Sequence, residues 1–373
     1  MKEKKQNPIG CFWNFTKKLF SRSWIYLVVA GFWIYCEVMM SRGTLAIEKQ
    51  LIPICCWATM AVSLNLVVGI SGELSLGHAG FMSLGAFSGL ITAGWLQNAA
   101  KMEDPVSRLV LAILAGGVVA GVFGFLIGIP VLRLRGDYLA IVTLAFGEII
   151  NSLITNLYVS LDQGTLYFKF LKGRGMPGIK LLEGAQGPNN VTKIELIPAG
   201  FILLLLTLII AKNLVRSRTG RAIMATRDNR IAAESVGINI TKYKMTAFVT
   251  AAILAGMAGA MYGLFMNTAT KPGTFRYTKS IDILVFVVMG GLGNLGGSVI
   301  SAALLTILPE RLRFLQDYRM LIYAVVLILM MLVSNNPLIR SVMRQIKERL
   351  IHRGKKSASA KTAVGTGEGG GLL

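Results

Sequence analysis

The sequence contains few of the residues from which metal sites and catalytic centres are usually built. Its 373 residues include two histidines and four cysteines, and the cysteines show no C-x-x-C spacing. No zinc site and no other cofactor is therefore expected. No glycine-rich stretch ends in Gly-Lys-Ser or Gly-Lys-Thr, so the chain has no P-loop for the phosphates of ATP. Because no nucleophile with a base and no paired carboxylates are recognisable either, we do not expect an enzyme.

Charged residues are scarce as well, at 15%, whereas 54% of the residues are hydrophobic and the mean hydropathy is +0.60. Soluble domains usually contain about 25% charged residues. A helix crosses the hydrocarbon core of a membrane with roughly 20 apolar residues. The apolar runs of this kind are 24–40, 51–70, 76–96, 109–132, 138–158, 196–215, 245–266, 281–308 and 321–333. The expected fold is all-α, a polytopic bundle of transmembrane helices.

The run 281–308 is too long for one upright helix, and glycines interrupt its centre. Two segments that meet at a break there raise the number of crossings to about ten, the count that we prefer. An even number also follows from the basic clusters at both chain ends, which are expected to lie in the cytoplasm.

The basic residues, which give the chain a net charge of +21, lie at its ends and between apolar runs rather than on one soluble face. This distribution is typical of basic residues that set the orientation of a chain in the membrane, and we expect no nucleic-acid partner. The predicted organisation is a basic cytoplasmic segment 1–23, a membrane domain 24–334 and a basic, partly disordered cytoplasmic tail 335–373. Within the membrane domain, 161–195 is predicted as an extracytoplasmic loop and the strongly basic 212–244 as a cytoplasmic loop.

The glycine-rich stretch 71–81 interrupts an apolar region with polar side chains. A broken helix frees backbone N–H and C=O groups at membrane depth, which is tolerated only where protein or a cavity surrounds them, so such breaks often mark a substrate path. We predict that Ser75, Gly77, His78, Gly80 and Phe81 belong to such a path. The alternative is a short cytoplasmic turn before a helix that packs through its glycines, with His78 in a structural role.

A second glycine-rich stretch, 289–298, lies in the carboxy-terminal half. Paired breaks in the two halves point to a path near the midplane, to which we assign Gly291 and Gly293. Close helix packing is the alternative. We also assign Glu148 to the path because it lies within the apolar run 138–158, where an acidic group is costly unless it faces the interior. The alternative is a structural role, in which groups on neighbouring helices pair with its carboxylate.

The sequence of the predicted cytoplasmic loop 212–244 has a helical pattern. Helix-forming residues run from Arg221 to Val236 with recurring apolar positions, and Gly237 is placed to end the helix. One or two short surface helices are therefore expected. The alternative is a loop whose basic residues only set the topology.

Four stretches, in this order, resemble the LivM-type permease of branched-chain amino acid ABC importers. They are 72–81 (GELSLGHAGF), 134–148 (LRGDYLAIVTLAFGE), 227–239 (RDNRIAAESVGIN) and 290–297 (GGLGNLGG). The likeness runs roughly from residue 51 to residue 333, and nothing carries over to the segments outside it.

The resemblance implies a permease in a bacterial cytoplasmic membrane that moves an amino acid through lipid. Its implied partners are a second, LivH-type permease subunit, two cytoplasmic ATP-binding subunits and an extracytoplasmic solute-binding protein. The family's coupling segment to the ATPases corresponds to 227–239. The residues that we assign to this coupling are Arg227, Asp228, Ala232, Ala233, Glu234 and Gly237.

Three alternatives stay open at this point. Related permeases move urea or other amino acids, so the solute rests on resemblance alone. A secondary transporter or channel that is driven by an ion gradient would use Glu148 as its proton or ion site. A membrane-embedded enzyme is disfavoured by the missing catalytic groups.

Overall fold

The computed structural model describes residues 45–134, 136–170, 176–267 and 270–312, together with scattered positions at 26, 29–34 and 37 and at 318, 321, 322, 324, 325, 327, 328 and 332. The predicted segments 1–23 and 335–373 lie outside the described residues, and the predicted spans 24–40 and 321–333 are described only at the scattered positions. The chain divides into two units, Met1–Ile307 and Leu308–Leu373. The contacts below all belong to the first unit.

Helices dominate the described residues. They are α1 Leu45–Asn65, α2 His78–Asn98, α3 Pro105–Val131, α4 Asp137–Thr155, α5 Ile197–Arg216, α6 Arg218–Asp228, α7 Arg230–Ser235, α8 Ile240–Met266, α9 Tyr277–Gly290 and α10 Leu295–Arg311. A π-helical turn, Leu66–Ile70, extends α1. In the described ranges, six helices are long and apolar enough to cross a membrane, namely α1 with its π turn, α2, α3, α4, α5 and α8. The expectation of a mostly helical, multi-pass membrane protein is confirmed.

Small residues let the central helices approach closely. A Cβ atom on Gly85 of α2 would lie 2.0 Å from the carbonyl oxygen of Gly256 in α8, and one on Gly259 would lie 2.0 Å from that of Met82. In lipid, where the hydrophobic effect does not drive helices together, such backbone contact is a main source of packing energy. Helices α2, α3 and α8 therefore form the tightest part of the bundle.

The strict all-α class is wrong, because the connection between α4 and α5 contains a three-stranded antiparallel sheet. Its strands are β1 Leu157–Asp162, β2 Thr165–Phe170 and β3 Ile179–Glu183, in the order β2-β1-β3. Gln163 and Gly164 both have positive φ (47° and 84°), as a two-residue hairpin turn requires. The apolar run 138–158 predicts one span to residue 158, but α4 ends at Thr155 and the alternating residues beyond it pair as strands.

The sheet and the α6–α7 segment lie at opposite ends of the bundle. At the sheet end, the indole Nε1 of Trp95 donates to the carbonyl oxygen of Gly164 at 3.1 Å, and Gln97 accepts from the backbone of Thr192 at 3.0 Å. At the loop end, Arg227 of α6 contacts the last turn of the extended α1. These two ends are called the sheet end and the loop end below.

We predict that the sheet end faces outward and the loop end faces the cytoplasm, because the loop is the more basic. A membrane-impermeant thiol reagent on intact cells should label Gln186→Cys and spare Arg216→Cys in a chain whose native cysteines are replaced. Both positions are exposed, whereas the neighbouring Gly187 is buried with a φ of 94° and accepts no side chain easily. Labelling at 216 without labelling at 186 would mean that the topology is inverted.

Candidate functional site

The first glycine-rich break is a segment that turns back into the bundle. After the π turn, the chain reverses at Ser71, and Ser75, Gly77 and His78 are buried. The backbone N–H of Leu76 donates to Oγ1 of Thr143 in α4 at 3.1 Å. A Cβ atom on Gly77 would lie 2.1 Å from the carbonyl oxygen of Thr143, so α2 begins directly against the backbone of α4.

The side chains at the start of α2 are enclosed by protein. His78 is 1% exposed, and its Nε2 lies 2.7 Å from Oγ of Ser63 in α1. Phe81 packs edge-on against Phe248 of α8, and Gly80 lies against Gly147 of α4. The structure thus brings the predicted path residues of this break together in a closed seam between α2 and α4, and their role in a path stays a prediction.

The second glycine-rich break joins α9 to α10 and contacts the first break. Gly291 and Gly293 have φ values of 93° and 82°, which L side chains rarely adopt. The backbone N–H of Gly293 donates to Oδ1 of Asn65 at 2.8 Å, and Nδ2 of Asn65 donates to Oγ of Ser298 at 2.7 Å. One amide side chain of α1 therefore binds the break itself and the start of α10.

A third segment, α6 at the loop end, contacts the same region. The contacts that join α6, the end of α1 and the two breaks are called the junction below. Nη1 of Arg227 in α6 donates to the carbonyl oxygen of Gly69 at 2.6 Å, and its aliphatic stem fills the space beside Gly72. Lys244, in the first turns of α8, forms an ion pair with Glu73. Asp228 is exposed and pairs with Arg227. The predicted coupling segment is thus bonded through Arg227 to the backbone just before the first break, and the start of α8 is bonded to the acidic side chain within that break.

Helix α7 has a defined start and end. Oδ1 of Asn229 accepts from the N–H of Ala232 at 3.1 Å, as an N-cap does. Gly237 has a φ of 82°, and the pair of bonds from Gly237 to Glu234 and from Ile238 to Ala233 is a Schellman ending. The predicted stop at Gly237 coincides with this ending.

The residues of α7 that reach outward are not all those that we predicted. Ala232 and Glu234 are exposed, but Ala233 is buried against the rest of the loop and holds α7 in place. Sequence reasoning missed Ile231 and Val236, which are 80% and 74% exposed. Both are apolar positions of the predicted surface helices, but the sequence pattern assigns them no role in coupling; a helix of six residues buries only one face, so they stay exposed.

Glu148 is half-buried and lies seven residues before the end of α4 at Thr155. Its Oε1 accepts a hydrogen bond of 2.9 Å from the backbone N–H of Tyr277, the first residue of α9. A carboxylate at the amino-terminal end of a helix satisfies a free N–H group and interacts favourably with the helix dipole. In this structure Glu148 therefore holds the start of α9.

In the part of the chain that the structure describes, no group of three or more His, Cys, Asp or Glu side chains could hold a metal ion.

Comparison with known proteins identifies the family. The model of the family described as branched-chain amino acid transport system / permease component matches residues 47–333. The chain belongs to this permease family. The LivM permease proteins of the high-affinity branched-chain amino acid transport systems of Salmonella typhimurium and Escherichia coli are both 31% identical to it. The alignments cover 86% and 89% of this chain and 75% and 77% of those proteins.

A relative of lower sequence identity is named as a permease for a different solute, a nucleoside. The nucleoside ABC transporter permease protein NupC of Lactococcus lactis is 24% identical over 62% of this chain and 71% of its own length. No solved structure matches the chain.

We predict that Glu148→Gln transports at close to the rate of the unmodified subunit, because an amide oxygen still accepts from the N–H of Tyr277. Glu148→Ala should lower the amount of assembled subunit, since it removes the hydrogen bond at the start of α9, which contributes about 1 kcal/mol. Uptake and subunit content are measured on the same membranes. If Gln abolishes uptake by a subunit that assembles normally, then Glu148 acts through its charge or its proton, as the ion-driven alternative requires.

Proposed function

We propose that the chain is the permease subunit of an ATP-driven, binding-protein-dependent importer of branched-chain amino acids in a bacterial cytoplasmic membrane. Membership of the permease family and the resemblance to LivM proteins support the reaction class and the solute. The proposed partners are a LivH-type permease subunit, cytoplasmic ATP-binding subunits and an extracytoplasmic solute-binding protein. The chain itself makes and breaks no bond.

The number of crossings is part of this proposal. The six spanning helices of the described ranges, the runs 24–40 and 321–333, and the α9–α10 pair add up to ten. Ten crossings leave both chain ends in the cytoplasm, in agreement with their basic residues.

The observation that supports coupling most directly is the surface of α7. Two large apolar side chains, Ile231 and Val236, project from a short helix at the most basic end of the bundle. Exposed apolar residues that are surrounded by polar ones commonly mark a protein interaction site. Because the chain has no P-loop of its own, an ATP-binding subunit is the partner that this surface requires.

The junction behind α7 suggests how motion reaches the helices. A displacement of α7 moves Arg227, which is bonded to Gly69 and packed on Gly72. Asn65, one turn earlier, carries the displacement to Gly293 and Ser298. The closure of paired ATPases would thus act on both broken helices at once.

We propose that the solute path opens along the seam between α2 and α4, which is closed in the present conformation. Gly77 and Gly80 lie against the backbone at Thr143 and Gly147, with the side chain of Ile150 also beside Gly80. Because most of this contact is made by backbone and small groups, such a seam can part with little repacking. Ser75, His78 and Phe81 would then border the opening, with Glu148 further along α4.

We predict that Ile231→Glu uncouples ATP hydrolysis from import, because a charge at an apolar contact must be desolvated. Ile231→Leu is the matched control and should behave normally. Leucine uptake and ATP hydrolysis are measured in proteoliposomes that hold the full complex, with a nucleoside as a comparison solute. Unchanged uptake by Ile231→Glu would remove α7 from the ATPase contact, and uptake of the nucleoside in place of leucine would change the proposed solute.

A further inference from the structure

The first turn of α9 exposes an unusual group of residues for a membrane helix. Arg276, Tyr277 and Thr278 follow one another and are all exposed, with Tyr277 at 45%. Arg276 has no ion pair among the residues that the structure describes. This group is called the 276–278 turn below.

Contacts with other helices fix the depth of this turn. Tyr277 is bonded to Glu148, which lies 11 residues after the start of α4 at Asp137, or about 16 Å at 1.5 Å per residue. Lys279 lies over the ring of Trp57, 13 residues before the end of the extended α1 at Ile70, or about 20 Å from it. Both estimates start at the loop end. The neighbouring Phe275 packs on Phe87, the tenth of the 21 residues of α2, so the 276–278 turn lies near the middle of a helix long enough to cross a core about 30 Å thick.

The chain reaches this depth because α8 does not continue directly into α9. After Asn267, which donates to the carbonyl oxygen of Val191 near the sheet end, a 3-10 turn, Pro272–Phe275, brings the backbone inward. Phe275 is buried against Phe87 of α2 and Tyr262 of α8. The 276–278 turn is thus held at mid-depth by buried aromatic side chains.

The 276–278 turn is unsuited to lipid. A charged side chain at the bilayer centre costs several kcal/mol and is almost always directed to a bundle interior or a water-filled cavity. Helix α3 shows what a lipid-facing surface of this chain looks like, since its exposed side chains at successive turns are apolar: Val110, Leu114, Val118 and Val122. At the same depth, the exposed 276–278 turn is therefore polar, whereas the exposed surface of α3 is apolar.

We propose that the 276–278 turn borders the water-filled solute path and that the guanidinium of Arg276 binds the carboxylate of the amino acid in transit. This inference rests on the proposed function. A guanidinium forms paired, charge-assisted hydrogen bonds with a carboxylate, and its charge persists at every physiological pH. Glu148, which holds the N–H of Tyr277, is then a positioning residue for the turn.

The first test measures which solvent reaches the turn. A nitroxide on Thr278→Cys is compared with one on Val118→Cys in the assembled complex, with the native cysteines replaced. Val118 is the matched control because it is 64% exposed and lies on the apolar surface of α3. The spin label at 278 should collide more with a water-soluble nickel chelate than with oxygen, and the label at 118 should do the reverse. Oxygen preference at 278, or access of neither reagent as in a dry subunit contact, would overturn the proposal.

The second test measures whether uptake depends on the positive charge of Arg276. With saturating solute-loaded binding protein, Arg276→Gln should lower leucine uptake per ATP about tenfold or more, which is the cost of losing one charged hydrogen bond. Arg276→Lys should retain an intermediate rate, and stimulation of ATP hydrolysis by the binding protein should be unchanged in both. Normal uptake per ATP by Arg276→Gln would refute the role of Arg276. Failure of the unmodified complex to import leucine would instead refute the proposed function.

Discussion

The side-chain amide of Asn65 is the interaction on which the rest of this structure depends. It lies in α1, accepts from Gly293 and donates to Ser298, so it connects α1 to the break and to the start of α10. At membrane depth, free backbone groups of a broken helix must be satisfied by protein. Without this amide, the positive-φ glycines at 291 and 293 would leave an unpaired N–H beside the first break. The two breaks are therefore parts of a single bonded junction.

In the proposed mechanism, the same junction links the α6–α7 segment to the broken helices. Arg227 of this segment binds the carbonyl oxygen of Gly69 before the first reversal of the chain, and Lys244 in the following helix α8 pairs with Glu73 after it. Motion applied at the exposed residues of α7 is therefore delivered to backbone, not to flexible side chains. The glycine contacts between α2 and α4 then provide a seam with little side-chain material to rearrange.

Local patterns in the sequence predicted the parts of this structure that depend on local chemistry. Apolar runs located the spans, clustered glycines located both breaks, and Gly237 marked the end of α7. The partners of Asn65 are 228 and 233 residues away, and a single Asn within the run 51–70 gave no signal of them. Arg276 was missed for a similar reason. It lies between two apolar runs and was read as part of a connection, whereas buried aromatic contacts bring it to mid-depth.

In the proposed mechanism, α7, the first break and the second break move as one body when nucleotide binds. Spin labels at Ser235 and Leu292, both exposed, measure this directly by pulsed distance measurements in the reconstituted complex. We expect the 235–292 distance distribution to be the same in the nucleotide-free and ATP-bound states, while the distance from Ser235 to a label at Thr165 on the sheet changes. A 235–292 distribution that shifts with nucleotide would contradict this mechanism.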